Sequence, residues 1–135
     1  PVQQDRYIIS SVERELIARV LYCEARGESY QAQKYVVSVI FNRLDWNFNG
    51  KNNIYDILHD YGEFTTIKKA MYVTPDEEQY QAIDEISKNG SELPPYVLYF
   101  SSGKKHEFTI TYKTDGNMIY GYEDKDKIEY EMRVK

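Results

Sequence analysis

The run Leu21-Tyr22-Cys23-Glu24-Ala25-Arg26-Gly27-Glu28 gathers a thiol, two carboxylates and a guanidinium within eight positions. The apolar spacing upstream places Glu24 at the C-terminal end of a helix. There a partly shielded carboxyl faces unsatisfied backbone carbonyls and the negative end of the helix dipole. Desolvation and that dipole both raise a carboxyl pKa. A Glu held protonated near neutral pH can give its proton to a glycosidic oxygen, which glycoside cleavage requires of its acid. Position alone leaves the bland alternative open, because most Glu residues at helix ends are simply solvated. Glu28 lies four residues on, beyond a glycine that breaks the helix. It is expected to orient Arg26 or the backbone of the next helix, or to act as a charge at that helix's N-terminus. Arg26 is expected to hold a carboxylate with its planar fork and so organise the turn.

Cys23 beside Glu24 offers a second chemistry. With His59 or His106 it could form the Cys-His pair of a peptidase. Against this, Cys23 falls late in an apolar helix rather than at an N-terminus, where thiolates are favoured, and no papain-like local signature is present. The single Cys and two His lack the spacing of a zinc site. No metal and no cofactor is expected.

The elements that must position these groups follow from periodicity and caps. Ser10 and Glu13 fit a capping box. Val12, Leu16, Ile17, Val20 and Leu21 then keep helical spacing up to about Glu24, with a stop near Gly27. A second helix starts near Ser29 with Ala32, Tyr35, Val36, Val39 and Ile40 on its apolar face, so the two helices meet at the short Ala25–Glu28 turn. Residues 47–53 read as a polar loop. Ile54, Ile57, Leu58 and Tyr61 give a short third helix, followed by a loop or extended segment at 62–66. Thr74-Pro75-Asp76-Glu77 reads as a helix start with Thr74 as the cap, and Gly90 closes that helix. Beyond Leu93-Pro94-Pro95 the pattern becomes strand-like at 96–100, 108–112, 118–122 and 128–132, with a turn at Asp115-Gly116-Asn117. The fold class expected is α+β: a helical body followed by a small antiparallel β region.

Composition excludes several classes. The 135 residues suit one domain, 1–135, able to bury a core without disulfides. A net charge of −5 argues against a nucleic-acid partner, whose phosphates need clustered Lys and Arg. Lys68-Lys69 and Lys104-Lys105 are too short to form patches and read as solvated faces. No apolar run approaches the ~18 residues of a membrane span. Of the aromatic residues, 14 are Tyr. Such amphipathic rings suit a wet groove for sugars or peptides, and a compositional bias of the genome explains them equally well.

Glu24-Ala25-Arg26-Gly27-Glu28, then Gln33, then Val36 through Asn42-Arg43-Leu44 resembles the spore-cortex-lytic cell-wall hydrolase family (the SleB/CwlJ type). Ala32-Gln33 stands where that family usually has Gly-Gln. Glu63-Phe64-Thr65 occupies its Gln-Phe-Ser/Thr element, with Glu in place of Gln. Tyr96 to Phe100 resembles its aromatic strand, and Gly116-Asn117-Met118-Ile119-Tyr120 its closing strand, with Met118 where His is common. The resemblance covers roughly residues 13–122.

It implies a lysozyme-like or lytic-transglycosylase-like fold that cuts peptidoglycan glycan strands between N-acetylmuramic acid and N-acetylglucosamine, with Glu24 as acid/base. A lytic transglycosylase leaves 1,6-anhydro ends and needs one carboxylate. A muramidase-like hydrolase normally needs a second, about 5–9.5 Å away, and Glu63 is the residue placed to supply it or to raise the acid's pKa by like-charge coupling. A solvent-facing loop Glu is the equal alternative. Phe64, Thr65 and one of Tyr99 and Phe100 are expected along the groove, with Tyr99 the candidate. Asn117 is either a turn residue with positive φ or a polar groove residue. A monomer is expected, alone or attached to a wall-binding domain outside this chain, acting at the cell wall or spore cortex or carried by a phage. The competing class is a wall-binding or phage structural module that keeps the fold without turnover. The tail 123–135 lies outside the resemblance and reads as an added edge strand or a joint to such a domain.

Overall fold

The computed structural model describes residues 4–61, 68–103 and 108–134. Helix α1 spans Ser11–Ala25. Its start is fixed by the expected box: Glu13 N–H donates to Ser10 Oγ at 3.1 Å and Ser10 N–H to Glu13 Oε1 at 2.8 Å. Ile17, Ala18, Val20 and Leu21 are buried. Val12 is not part of that face; it is 76% exposed.

Helix α2, Tyr30–Trp46, is the central element. Ser29 Oγ caps it by accepting the Ala32 N–H at 2.9 Å. Every residue from Val36 to Arg43 is buried, so the helix is enclosed on all sides rather than on one stripe. It contacts α1, helix α3 (Ile54–Tyr61) and helix α4 (Glu77–Asn89). The α4 cap is Asp76, two residues later than Thr74; its N–H donates to Gln79 Oε1 at 2.7 Å, which sets the first turn. Gly90, at φ 96°, ends the helix as expected. Residues 47–53 carry more order than a polar loop: Phe48–Gly50 form one 3-10 turn, with Phe48 buried beneath the Arg43 guanidinium.

Three antiparallel strands follow: β1 (Tyr99–Ser102), β2 (Ile110–Asp115) and β3 (Met118–Tyr122), in the order β1-β3-β2. The central strand β3 contributes Met118 and Tyr120 to the core, and the Tyr120 hydroxyl donates to the Ala32 carbonyl of α2 at 2.7 Å. At Gly121 a Cβ would lie 2.1 Å from the Ile110 carbonyl oxygen and 2.4 Å from the Phe108 ring, so only glycine fits between the flanking strands. β1 begins at Tyr99 rather than at residue 96. The carbonyls of Pro94, Val97 and Leu98 are taken by α2 side chains and are not free to pair in a sheet.

The C-terminal run 128–132 is not a strand. It lies in helix α5, Asp124–Arg133. The alternation of Ile128, Tyr130 and Met132 mimics a strand, but the local chemistry favours a helix. Glu123 N–H donates to Asp126 Oδ2 at 3.0 Å, Asp124 and Asp126 sit at the positive end of the dipole, and Glu129 pairs with Arg133 one turn on at 2.9 Å. No helix among the described residues is long and apolar enough to cross a membrane.

Candidate active site

Glu24 occupies the last turn of α1 and is half-buried. On a helix, positions three and four apart share a face, so Glu24 continues the stripe made by the fully buried Val20 and Leu21. A carboxyl thus terminates an apolar face. Ala25 behind it is 1% exposed. Arg26 closes the helix, its N–H donating to the Tyr22 carbonyl at 3.2 Å, and Gly27 at φ 88° turns the chain so that Glu28 N–H reaches the Ala25 carbonyl at 3.0 Å. That left-handed conformation suits glycine and reverses the chain directly into α2.

Among the described residues Arg26 grips no carboxylate. Its Nη1 donates to the Tyr22 hydroxyl at 2.6 Å, and the guanidinium lies 5.0 Å from the centre of that ring, both on the exposed side of the helix end. The Tyr one turn back is the nearer planar partner. Glu28 does organise the turn, in a way that needs the tertiary fold: Oε1 accepts the Asn117 backbone N–H at 3.1 Å and Oε2 the Asn117 side-chain amide at 3.4 Å. Beside it Ser29 Oγ donates to Asp115 Oδ1 at 2.9 Å. The start of α2 is therefore latched to the β2–β3 hairpin tip. In that tip the positive φ belongs to Gly116 (59°), and Asn117 serves as Glu28's partner rather than as the positive-φ residue.

Gln33, 1% exposed, anchors the turn from below. Its amide N–H donates to the Glu28 carbonyl at 3.2 Å and to Glu78 Oε1 at 3.0 Å, while its oxygen accepts from Gln79 Nε2 at 2.8 Å. The Gln33–Gln79 pair joins α2 to the first turn of α4. At the other end of α2, Asn42 Nδ2 donates to the Pro94 and Val97 carbonyls at 2.8 and 3.1 Å, and Arg43 Nε to the Leu98 carbonyl at 2.6 Å. The Asn-Arg ending of the sequence motif is thus a pair of donors that fixes the entry into β1. Tyr99 follows: its ring packs on Phe48 and Phe108 and near the Arg43 guanidinium, and it lines a hollow of about 310 Å³ with Trp46, Asn47, Asn49 and Arg133.

Next to Glu24 on the helix surface, Tyr22, Cys23, Arg26, Lys69, Tyr72 and Val73 bound a second hollow of about 510 Å³. Its far wall is held by Arg19, whose Nη1 donates to the carbonyls of Ala70 and Met71 at 3.3 and 3.1 Å. Burial pushes the Cys23 thiol above its ordinary range, the Glu24 charge pushes it further, and Lys69 opposes both. A thiol held protonated is a poor nucleophile. His59 is exposed and tied to its own helix, with Nδ1 2.7 Å from the Tyr55 carbonyl.

The structure thus brings together Glu28 and Asn117, and sets Arg26 and Glu24 on one turn. Glu63, Phe64, Thr65 and His106 lie outside the described residues. Sequence reasoning did not find the hollow formed by Tyr22, Lys69 and Tyr72, since no spacing links residue 22 to residue 69. Among the described residues no group of His, Cys, Asp and Glu is arranged to hold a metal.

Comparison with known proteins sets this geometry in a family. The profile of the family described as Cell Wall Hydrolase matches residues 27–121. A curated relative, the spore cortex-lytic enzyme of Halalkalibacterium halodurans, is 36% identical over 87 residues, which cover 64% of this chain and 26% of the relative. The chain therefore spans about a quarter of that relative's length. Among solved structures, the catalytic domain of the germination-specific lytic transglycosylase SleB from Bacillus anthracis superposes with a TM-score of 0.71 at 23% identity, over 84% of this chain and 96% of that one. The two share a fold, helical with a small antiparallel sheet.

Proposed function

The chain belongs to the cell wall hydrolase family, and on that premise we propose that it cleaves the glycan strands of peptidoglycan between N-acetylmuramic acid and N-acetylglucosamine, as a lytic transglycosylase with Glu24 as its only acid/base. One observation carries the reading: Glu24 is the carboxyl that ends the buried stripe of α1, at a turn tied down by Gln33 and Glu28.

The reaction then needs one group used twice. Protonated Glu24 donates to the glycosidic oxygen as the bond from muramyl C1 breaks, leaving positive charge on the ring. The carboxylate so formed takes the proton of the muramyl C6 hydroxyl while that oxygen bonds to C1. The product is a 1,6-anhydro end, and Glu24 is protonated again for the next cut. Water takes no part. The names of the relative and of the SleB domain, one cortex-lytic and one a germination-specific lytic transglycosylase, support this chemistry and a place of action in cell wall or spore cortex. Arg26 is assigned to the wall of the site and Glu28 and Asn117 to holding its shape, whereas Tyr99 lines the separate hollow at the other end of α2.

The product end tests the mechanism. Mass spectrometry of fragments released from purified peptidoglycan is expected to show anhydro-muramyl ends, unchanged in Glu63→Gln. Reducing muramyl ends, lost in Glu63→Gln, would make the enzyme a hydrolase with Glu63 as its second carboxylate.

A further inference from the structure

Five cations of this acidic chain are matched with carboxylates among the described residues. Arg6 pairs with Asp45, Arg14 with Asp84, Arg19 with Glu15, Lys34 with Glu85 and Glu92, and Arg133 with Glu129. Arg26 and Lys69 share a cavity. Both line the hollow of about 510 Å³ beside the Glu24 turn, and among the described residues neither forms an ion pair and no carboxylate lines that hollow. Arg26 spends one donor on the Tyr22 hydroxyl, which fixes its fork and leaves further N–H groups for a ligand. Lys69 is placed by a turn, with Tyr72 N–H on its carbonyl at 3.0 Å, and by the Arg19 clamp on the next two carbonyls. Tyr72, 82% exposed, stands at the rim as an apolar surface with a polar tip. In a molecule of net charge −5, two cations that share a hollow and form no ion pair among the described residues mark a candidate anion site.

We propose that this hollow binds the carboxylates of the peptide stem carried by the muramyl residue at the cleavage point, with Arg26 and Lys69 as the cationic contacts and Tyr72 against the stem backbone. The inference rests on the glycan-cleaving reading for the position of the muramyl residue. Cys23, a wall of the hollow, is the residue before Glu24, about 100° round the helix from it, so a stem leaving a sugar held at Glu24 has this hollow as its neighbour.

The test separates this site from the chemistry by measuring binding on a Glu24→Gln protein. Calorimetric titration uses a disaccharide-tetrapeptide muropeptide and the same fragment with its carboxyls converted to amides. Two exposed charge contacts correspond to roughly a tenfold difference in affinity in favour of the free carboxylates, falling with added salt. Adding Lys69→Gln, alone and with Arg26→Gln, is expected to lower affinity for the native fragment toward that of the amide and to leave the amide's affinity unchanged. Circular dichroism confirms that each variant is folded, and Lys69→Gln leaves the turn itself intact. Equal affinity for the two fragments, no binding of either, or a glycerol-phosphate oligomer binding more tightly than the muropeptide overturns the assignment. Failure of the wild type to cleave any wall, with the charge-dependent binding retained, instead sinks the glycan-cleaving reading alone.

Discussion

Replacing Gln33 by Leu removes the amide that holds the Glu24 turn while keeping side-chain volume. The change strips the acceptor from Gln79 Nε2, now 2.8 Å from the Gln33 oxygen, and the donor from the Glu28 carbonyl at 3.2 Å, both in a region where Gln33 and Gln79 are 1% and 2% exposed. Glu78 also loses a donor but is exposed, and water replaces it. A buried polar group left without a partner costs about 1–3 kcal/mol. Two such groups, partly offset by the apolar surface the leucine buries, give a loss of about 2–4 kcal/mol and a fall in Tm of roughly 10 °C for a chain of this size. Urea denaturation should show a lower midpoint at unchanged slope. Gln79→Leu alone should cost a similar amount, and the double variant less than the sum, with a coupling of at least about 1 kcal/mol, as expected of a bonded pair. A Gln33→Leu protein within about 0.5 kcal/mol of wild type, or strict additivity with Gln79→Leu, would refute the role given to this pair.

Other consequences are as direct. Gly121→Ala drives a methyl group into the Ile110 carbonyl and the Phe108 ring, so it should cost at least about 3 kcal/mol or abolish the fold, as read by thermal melting; a wild-type Tm contradicts the close approach of the strands. The Cys23 thiol, raised first by burial and then by Glu24, should alkylate more slowly than free cysteine at pH 8, because less of it is thiolate at any pH below its raised pKa. Glu24→Gln removes one of the two raising causes and should speed the reaction, and an unchanged rate would show that Glu24 does not face Cys23. Glu28→Ala frees Asn117 from the α2 terminus, and hydrogen exchange of the 115–117 hairpin tip should rise; unaltered protection of the Asn117 amide argues against the latch.

Local chemistry was legible wherever a short pattern is sufficient to determine a shape. Ser10 with Glu13, Ser29 before α2, Gly90 after α4 and the Asp115-Gly116-Asn117 turn were all readable because a cap or turn involves residues within a few positions. The Glu24 turn was legible for the same reason. The alternation in 128–132 misled because its side chains cover no core: Ile128 and Met132 are 57% and 72% exposed, so the period carries no burial signal, and the acidic start at Glu123–Asp126 was the better guide. The functions of Gln33, Asn42 and Arg43 were visible only as motif letters. Their partners, Gln79, Pro94, Val97 and Leu98, lie 46 to 55 positions away, and no periodicity reports a donor that reaches so far. Arg26 was assigned a carboxylate because its planar fork fits one, whereas Tyr22 one turn back, through its hydroxyl and ring, is its partner among the described residues.

The central claim is that Glu24 cuts glycan. Purified peptidoglycan digested by the wild type and by Glu24→Gln, with released fragments read by mass spectrometry, addresses it most directly. Anhydro-muramyl fragments from the wild type and none from a folded Glu24→Gln protein are expected. Normal release by Glu24→Gln would contradict the assignment outright, and binding of wall without release by the wild type would make this domain a wall-binding module instead.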